Sequence, residues 1–200
     1  MKRIWIVIAI FCTLVNVHSQ NEKKHYFGVN YLFGSCEYKG VGLGGLYSSS
    51  TELNGTSYFG LGLDYRYRYS ENTELCYGIT ATINKISSKI PWSSGPSYPD
   101  GNFAIFSLPV HLKYHFLNHF FLGGGPCLNI HPSRGYKSGL GFEINAGAEY
   151  AFKSGLILSV SPHVKRNFLC IFGDMDYGHD GKETLSQIGI SIGLGYKFGK

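Results

Sequence analysis

The chain predicts an all-β fold, a transmembrane antiparallel up-and-down β-barrel of about eight strands, and three observations carry that prediction. Long stretches alternate apolar and polar residues with a period of two. The connections between those stretches alternate between short and long. Aromatic residues gather on the apolar faces at the ends joined by the short connections.

Taken in order, the first alternation sets Phe27, Val29, Tyr31 and Phe33 against Gly28, Asn30 and Gly34. The clearest strand, Tyr58 to Tyr69, sets Phe59, Leu61, Leu63, Tyr65, Tyr67 and Tyr69 against Gly60, Gly62, Asp64, Arg66 and Arg68. After the short Ser70 to Thr73 link, Glu74 to Asn84 repeats the pattern and closes a hairpin. Phe103 to Phe116 carries Ser107, His111, Lys113 and His115 on its polar face, and Phe120 to Ile130 continues the apolar face beyond Leu117-Asn118. A third hairpin joins Leu140–Phe152 to Leu156–Val164 through Lys153-Ser154-Gly155. Its polar face carries Glu143, Asn145, Glu149, Ser159, Ser161, His163 and Lys165. The last alternation sets Ile188, Ile190, Ile192, Leu194, Tyr196 and Phe198 against glycine and polar residues.

The turn chemistry of the third hairpin limits its register. A three-residue turn closed by Phe152 and Leu156 sets Glu143 opposite Lys165 and Asn145 opposite His163. A closure one step tighter sets Glu143 opposite His163 instead.

The long connections follow the first, third, fifth and seventh strands, at Ser35–Thr56, Ser87–Asn102, His131–Ser138 and Asn167–Glu183. A soluble sandwich has no reason to sort its connections by length. A membrane barrel does, with short turns on one side of the bilayer and long loops on the other. The mean hydropathy of −0.05 does not oppose this, because lumen-facing polar residues cancel outward apolar ones in any average.

Composition narrows the class further. Charged residues make up 16% of the 200 positions, aromatics another 16%, and glycine 27 positions, which suits neither a disordered tail nor a helix bundle. The formal charge of +5 is modest and no basic stripe accompanies it, so no nucleic-acid partner is expected. Residues 1–19 read as a secretion signal. Lys2 and Arg3 supply the charged start, Ile4 to Val15 the apolar run, and Val17-His18-Ser19 the cleavage site. Residues 20–200 then form one barrel domain.

On the inward face the alternation places Asp64, Arg66, Arg68, Glu74, His111, Lys113, His115, Glu143, Glu149, His163 and Lys165. Eight strands enclose an interior that side chains can fill, so these residues are expected to pair as a polar plug. Glu143 and His163 with Ser159 or Ser161 could form a Ser/His/acid set. Small barrels that deacylate lipid A present such a set to lipid, however, whereas the parity of Pro162 and Val164 turns His163 inward.

The run Asp174 to Glu183 spaces carboxylates as calcium loops do, but His179 and Leu185 stand where the pattern needs Gly and Glu. No metal, cofactor or catalytic residue is therefore assigned. Of Cys36, Cys76, Cys127 and Cys170, the pair Cys36 and Cys170 would both lie at the long-loop rim and are the candidate disulfide.

The leader ending Val17-His18-Ser19-Gln20, the Gly/Tyr-rich strands and the terminal Gly193-Leu194-Gly195-Tyr196-Lys197-Phe198 resemble the small outer-membrane barrels of the Bacteroidetes type, the PorT-like and OmpA-type group. The resemblance covers the mature chain. It implies the outer membrane of a Gram-negative cell, outer-membrane lipid as surroundings, and the barrel assembly machinery as a partner during biogenesis. Tyr196 and Phe198 would then serve as the assembly signal, with Gly199 and Lys200 following as a departure from the pattern. The expected role is structural or surface-interacting and non-enzymatic, exercised through loops carrying Tyr47, Tyr58, Trp92, Tyr98 and Tyr177. Alternatives are a lipid A-modifying enzyme and a PorT-like accessory subunit of a secretion system.

Overall fold

The structure, a computed structural model, describes residues 25–39, 53–88, 101–116, 119–131, 138–168 and 184–198. The described residues form eight strands: β1 (His25–Lys39), β2 (Leu53–Arg68), β3 (Thr73–Ser88), β4 (Gly101–Phe116), β5 (Phe120–Ile130), β6 (Gly139–Ala151), β7 (Leu156–Phe168) and β8 (Thr184–Phe198). Each pairs antiparallel with its neighbours in sequence, and β1 pairs with β8, so the sheet closes into a barrel. Closure gives every strand two partners and leaves no open edge of unpaired N–H and C=O groups.

Alternation dictates which way each residue points. Along β7 strictly alternate residues are buried, from Ile157 to Asn167, and the outward residues between them include Leu158, Val160 and Val164, each about half exposed. On β8 the outward apolar run extends from Ile188 to Phe198. Ten rises of about 3.4 Å each, tilted by about 40°, cover roughly 26 Å, the height of a bilayer's apolar core. Polar residues take the opposite, lumen-facing positions: Glu74, Lys113, Glu149, His163, Lys165 and Gln187 are all buried.

The aromatic rim stands where the alternation puts it. Phe27, Tyr69, Phe116, Phe120, Tyr150, Phe152, Tyr196 and Phe198 are exposed on the outward face at the short-turn end. Several touch: Phe116 and Phe120 stack at 6.2 Å across their hairpin, and Tyr150 meets Phe152 edge-on at 4.8 Å. Tyr196 and Phe198 pair with Phe27 and His25, and the His25 ring stacks on Phe198 at 5.8 Å across the closing seam. The rim aromatics thus also fasten the first strand to the last.

The strands run further toward the long-loop end than side-chain alternation alone marks. β1 continues to Lys39 and β2 begins at Leu53, so the expected Ser35–Thr56 connection narrows to residues 40–52. Backbone ladders need no apolar side chains to continue, and β1 remains paired with β8 out to Lys39↔Thr184. A bulge between Gly55 and Ser57 shifts the register of β2 on β3, which breaks the period of two where the strand was expected to begin. Tyr58, expected on an exposed loop, is corrected accordingly: it lies within β2, 3% exposed, inside the barrel. Tyr47, Trp92, Tyr98 and Tyr177 lie outside the described residues, as do residues 1–19 and the acidic run 174–183.

The third hairpin adopts the first of the two registers: Glu143 pairs with Lys165 and Asn145 with His163. Its turn is closed by Phe152 N–H donating to Leu156 O at 2.8 Å and Gly155 N–H donating to Phe152 O at 3.0 Å. Gly155 adopts φ +91°, a left-handed conformation that an L side chain would strain.

Candidate functional site

Among the described residues, ionisable side chains concentrate in the lumen, and the strands stack them in layers. The layer nearest the short turns is ionic. Glu74 on β3 accepts from Arg68 Nη2 at 2.6 Å and lies 3.1 Å from His115 Nε2. One level further in, Glu149 on β6 accepts from Arg66 Nη1 of β2 at 2.7 Å and from Lys113 Nζ of β4. Arg66 turns its Nε to Asp64 at 2.6 Å, and Asp64 also accepts from Asn30 Nδ2 at 2.5 Å.

Aromatic faces support two of the buried cations. The Arg66 guanidinium lies 4.0 Å from the Tyr26 ring centroid and Lys113 Nζ lies 3.7 Å from that of Phe121. Tyr26 has room to lie there because Gly195 faces it: a Cβ on Gly195 would stand 2.2 Å from the phenol ring. The glycines of the last strand thus create space for large inward side chains on the first.

Toward the long loops the lumen becomes mostly neutral, with Lys165 as its remaining cation. Lys165 Nζ donates to Ser107 Oγ at 2.6 Å, Ser107 donates to Asn129 Oδ1 at 2.7 Å, and Gln187 Nε2 donates to Asn84 Oδ1 at 2.6 Å. Tyr58 and His163 Nε2 share a hydrogen bond of 2.5 Å. Above them Leu32, Cys36, Tyr58, Phe103, Ile105 and Leu185 form an apolar cluster inside the barrel. Between the ionic and neutral layers lies a cavity of about 100 Å³, lined among others by Asp64, His111, Glu143, Asn145 and Ser159.

The structure therefore brings the eleven ionisable residues of the sequence reading onto the inward side, but not always with the neighbours that strand order suggests. Arg66 and Glu149 meet across the barrel from β2 and β6, 83 residues apart in sequence. Glu143 pairs in register with Lys165, yet its ion pair is with His111 at 3.8 Å. Four carboxylates (Asp64, Glu74, Glu143, Glu149) face four permanent cations (Arg66, Arg68, Lys113, Lys165). Their charges cancel without the histidines. Sequence reasoning missed the apolar cluster, because Leu32, Phe103, Ile105 and Leu185 sit at inward positions that the alternation reserves for polar groups.

Glu74, His115 and Glu149 offer ligand atoms within 4.8 Å of one another. Arg68, Arg66 and Lys113 already neutralise these carboxylates, so a divalent ion here would add two uncompensated charges to a buried site. Cys36 is a free, buried thiol that donates to Ser57 O at 3.4 Å and Lys85 O at 3.6 Å. Cys170, its candidate disulfide partner, lies outside the described residues.

No protein-family model and no curated protein matches the chain. Solved structures do. The outer-membrane protein AlkL, determined in DMPC bilayers, is similar with a TM-score of 0.55 at 14% identity over 92% of this chain and 95% of that one. The fold is that of the small outer-membrane β-barrels. Neisserial surface protein A matches with a TM-score of 0.53 at 15% identity, covering 87% of this chain and 97% of that one. OprG of Pseudomonas aeruginosa matches with a TM-score of 0.52 at 16% identity, covering 92% and 100%.

Proposed function

We propose that the chain is a non-enzymatic integral protein of a Gram-negative outer membrane, in which a sealed barrel anchors loops that meet a partner, a ligand or a surface structure. The observation that carries this reading is the filled lumen. Most of its charges are paired and its long-loop end is filled chiefly by neutral and apolar side chains, so among the described residues the barrel offers no open path through its interior. Loops on a rigid scaffold are then where function resides.

The arrangement around His163 argues against an enzyme of the Ser/His/acid kind. The Nε2 that would have to activate a serine is bonded to Tyr58, and His163, Ser159 and Ser161 are all buried inside the barrel, away from lipid. The accessory-subunit reading rests on the PorT-like resemblance alone.

The test combines two measurements. The protein should sediment with outer membranes and migrate faster in SDS gels unboiled than boiled. Purified protein in planar bilayers should show no stable porin-sized current. Recovery as soluble material with identical migration would refute the membrane barrel, and a steady large current would refute the sealed lumen.

A further inference from the structure

The outward face of the strands carries few charges. Among the described residues they are Glu37 on β1, Lys85 on β3 and Arg166 on β7, all exposed and all toward the long-loop end. Lys85 stands between Ser57 and Asn102 of its neighbouring strands, in polar company. Arg166 is set differently. Val164 and Phe168 flank it along β7 and Phe142 pairs with it from β6, and all three are exposed apolar side chains. Ser186 of β8 is its polar partner in register.

The depth of Arg166 follows from its strand. Leu156, which pairs with Tyr196 at the short-turn aromatic rim, lies on the same face at the start of β7. The rises of about 3.4 Å from Leu156 to Arg166, tilted by about 40°, place Arg166 roughly 26 Å above that rim, at the top of an apolar band about 25 Å tall. The long loops of such a barrel face the cell exterior, so this level is the headgroup boundary of the outer leaflet. Among the described residues no carboxylate pairs with Arg166, and its guanidinium meets the Phe168 ring, 5.7 Å from the centroid. Glu37, one strand beyond Ser186, is engaged elsewhere. The arginine stem lies over apolar neighbours while its charged end is free to rise toward the headgroups.

We propose that Arg166 and the Ser186 hydroxyl bind the phosphate of an anionic outer-leaflet lipid, whose acyl chains lie against Val164 and Phe142. The proposal rests on the membrane-barrel reading above. A planar guanidinium matches two phosphate oxygens with parallel N–H bonds. The serine, on a strand about 4.8 Å away, supplies a hydroxyl donor for a third. Phosphate and guanidinium meet at a wet boundary with opposite charges, so no uncompensated ion is buried. Lys85 is a compact, strongly hydrated cation between polar neighbours, and it lacks the apolar floor on which lipid chains would rest.

The experiment places the refolded barrel in maltoside micelles, which contain no phosphorus, and adds lipid A carrying its phosphates. Native mass spectrometry should find one lipid retained per barrel, and ¹⁵N NMR should show the Arg166 guanidinium resonance shift. Arg166→Gln should lower retention at least tenfold, while Lys85→Gln leaves it unchanged. Equal retention of lipid A stripped of its phosphates overturns the site, as does retention that survives Arg166→Gln or falls in Lys85→Gln. An Arg166 resonance shifted as far by inorganic phosphate as by lipid A also overturns it, marking an adventitious anion site. The NMR measurement uses the wild-type barrel and decides independently of whether the variants fold: an unshifted Arg166 resonance refutes the site. Wild-type protein without heat-modifiable migration would refute the membrane reading itself, a result distinct from a folded barrel that retains no lipid, which refutes the site alone.

Discussion

Replacing Glu149 by alanine should be among the most destabilising single changes in this barrel. Glu149 accepts from both Arg66 and Lys113, and the side chains of Glu149 and Lys113 are 7% and 5% exposed. Solvent cannot take over the lost partnership at that depth. Arg66 keeps Asp64 at 2.6 Å, so its charge stays compensated. Lys113 loses its ion pair and keeps the face of Phe121, worth about 2 kcal/mol when desolvated, and the more distant Glu74 carboxylate. Removing one partner of a buried pair costs about 3–5 kcal/mol, chiefly through the charge left behind. Urea titration of the refolded barrel, followed by far-ultraviolet circular dichroism and by gel mobility, should show that loss. The double variant Glu149→Gln/Lys113→Met should recover most of it, because the orphaned charge is gone. A loss below about 1 kcal/mol in Glu149→Ala, or no recovery in the double variant, would mean that water reaches this layer and that the ion cluster does not govern stability.

Three further outcomes can be checked on the same preparation. Glu143→Ala should cost about 1–3 kcal/mol, less than Glu149→Ala because its ion pair is long, and more than Glu71→Ala, whose side chain is in the exposed turn before β3; equal, negligible effects in urea would contradict this. Tyr58→Phe removes the hydroxyl bonded to His163 Nε2 and should cost about 1–3 kcal/mol by leaving a buried nitrogen unpartnered, measured against Tyr69→Phe on the outer surface as the neutral control. Gly155→Ala forces a side chain into φ +91° and within 3.1 Å of Lys197 O, so a loss of about 1 kcal/mol or more is expected; an unchanged midpoint would show that the turn relaxes freely.

Side-chain parity was legible throughout the eight strands because one face meets an apolar surrounding and the other a polar interior, and a one-residue slip would exchange them. The register that pairs Asn145 with His163 was one of two that a single short turn allowed. What escaped was the arrangement across the barrel. Nothing local tells Arg66 that its partner is Glu149 rather than Glu143, since that depends on shear and on which glycines open space beside them. Tyr58 was misplaced on a loop although it opens the alternation Tyr58–Tyr69, because an aromatic on the polar-side parity at the strand's end gave no sign that its ring would lie inside the barrel. The apolar inward cluster was invisible to a rule that equates inward with polar, a rule that holds in the ionic layer and fails near the long-loop rim.

The seam between His25 and Phe198 also bears on how arbitrary the chain's starting point is. The first and last strands meet in register at the end where every other connection is a tight turn. A linker of a few residues from Phe198 to His25 would be one more such turn, and cutting the chain within Ser70–Asn72 would leave the new ends on the same side. A circular permutant begun at Thr73 should fold to the same ring of strands when refolded in detergent. Its β8 strand would then be internal, so expressing that permutant in cells would separate what the barrel requires in order to fold from what delivery to the membrane requires of the terminal strand.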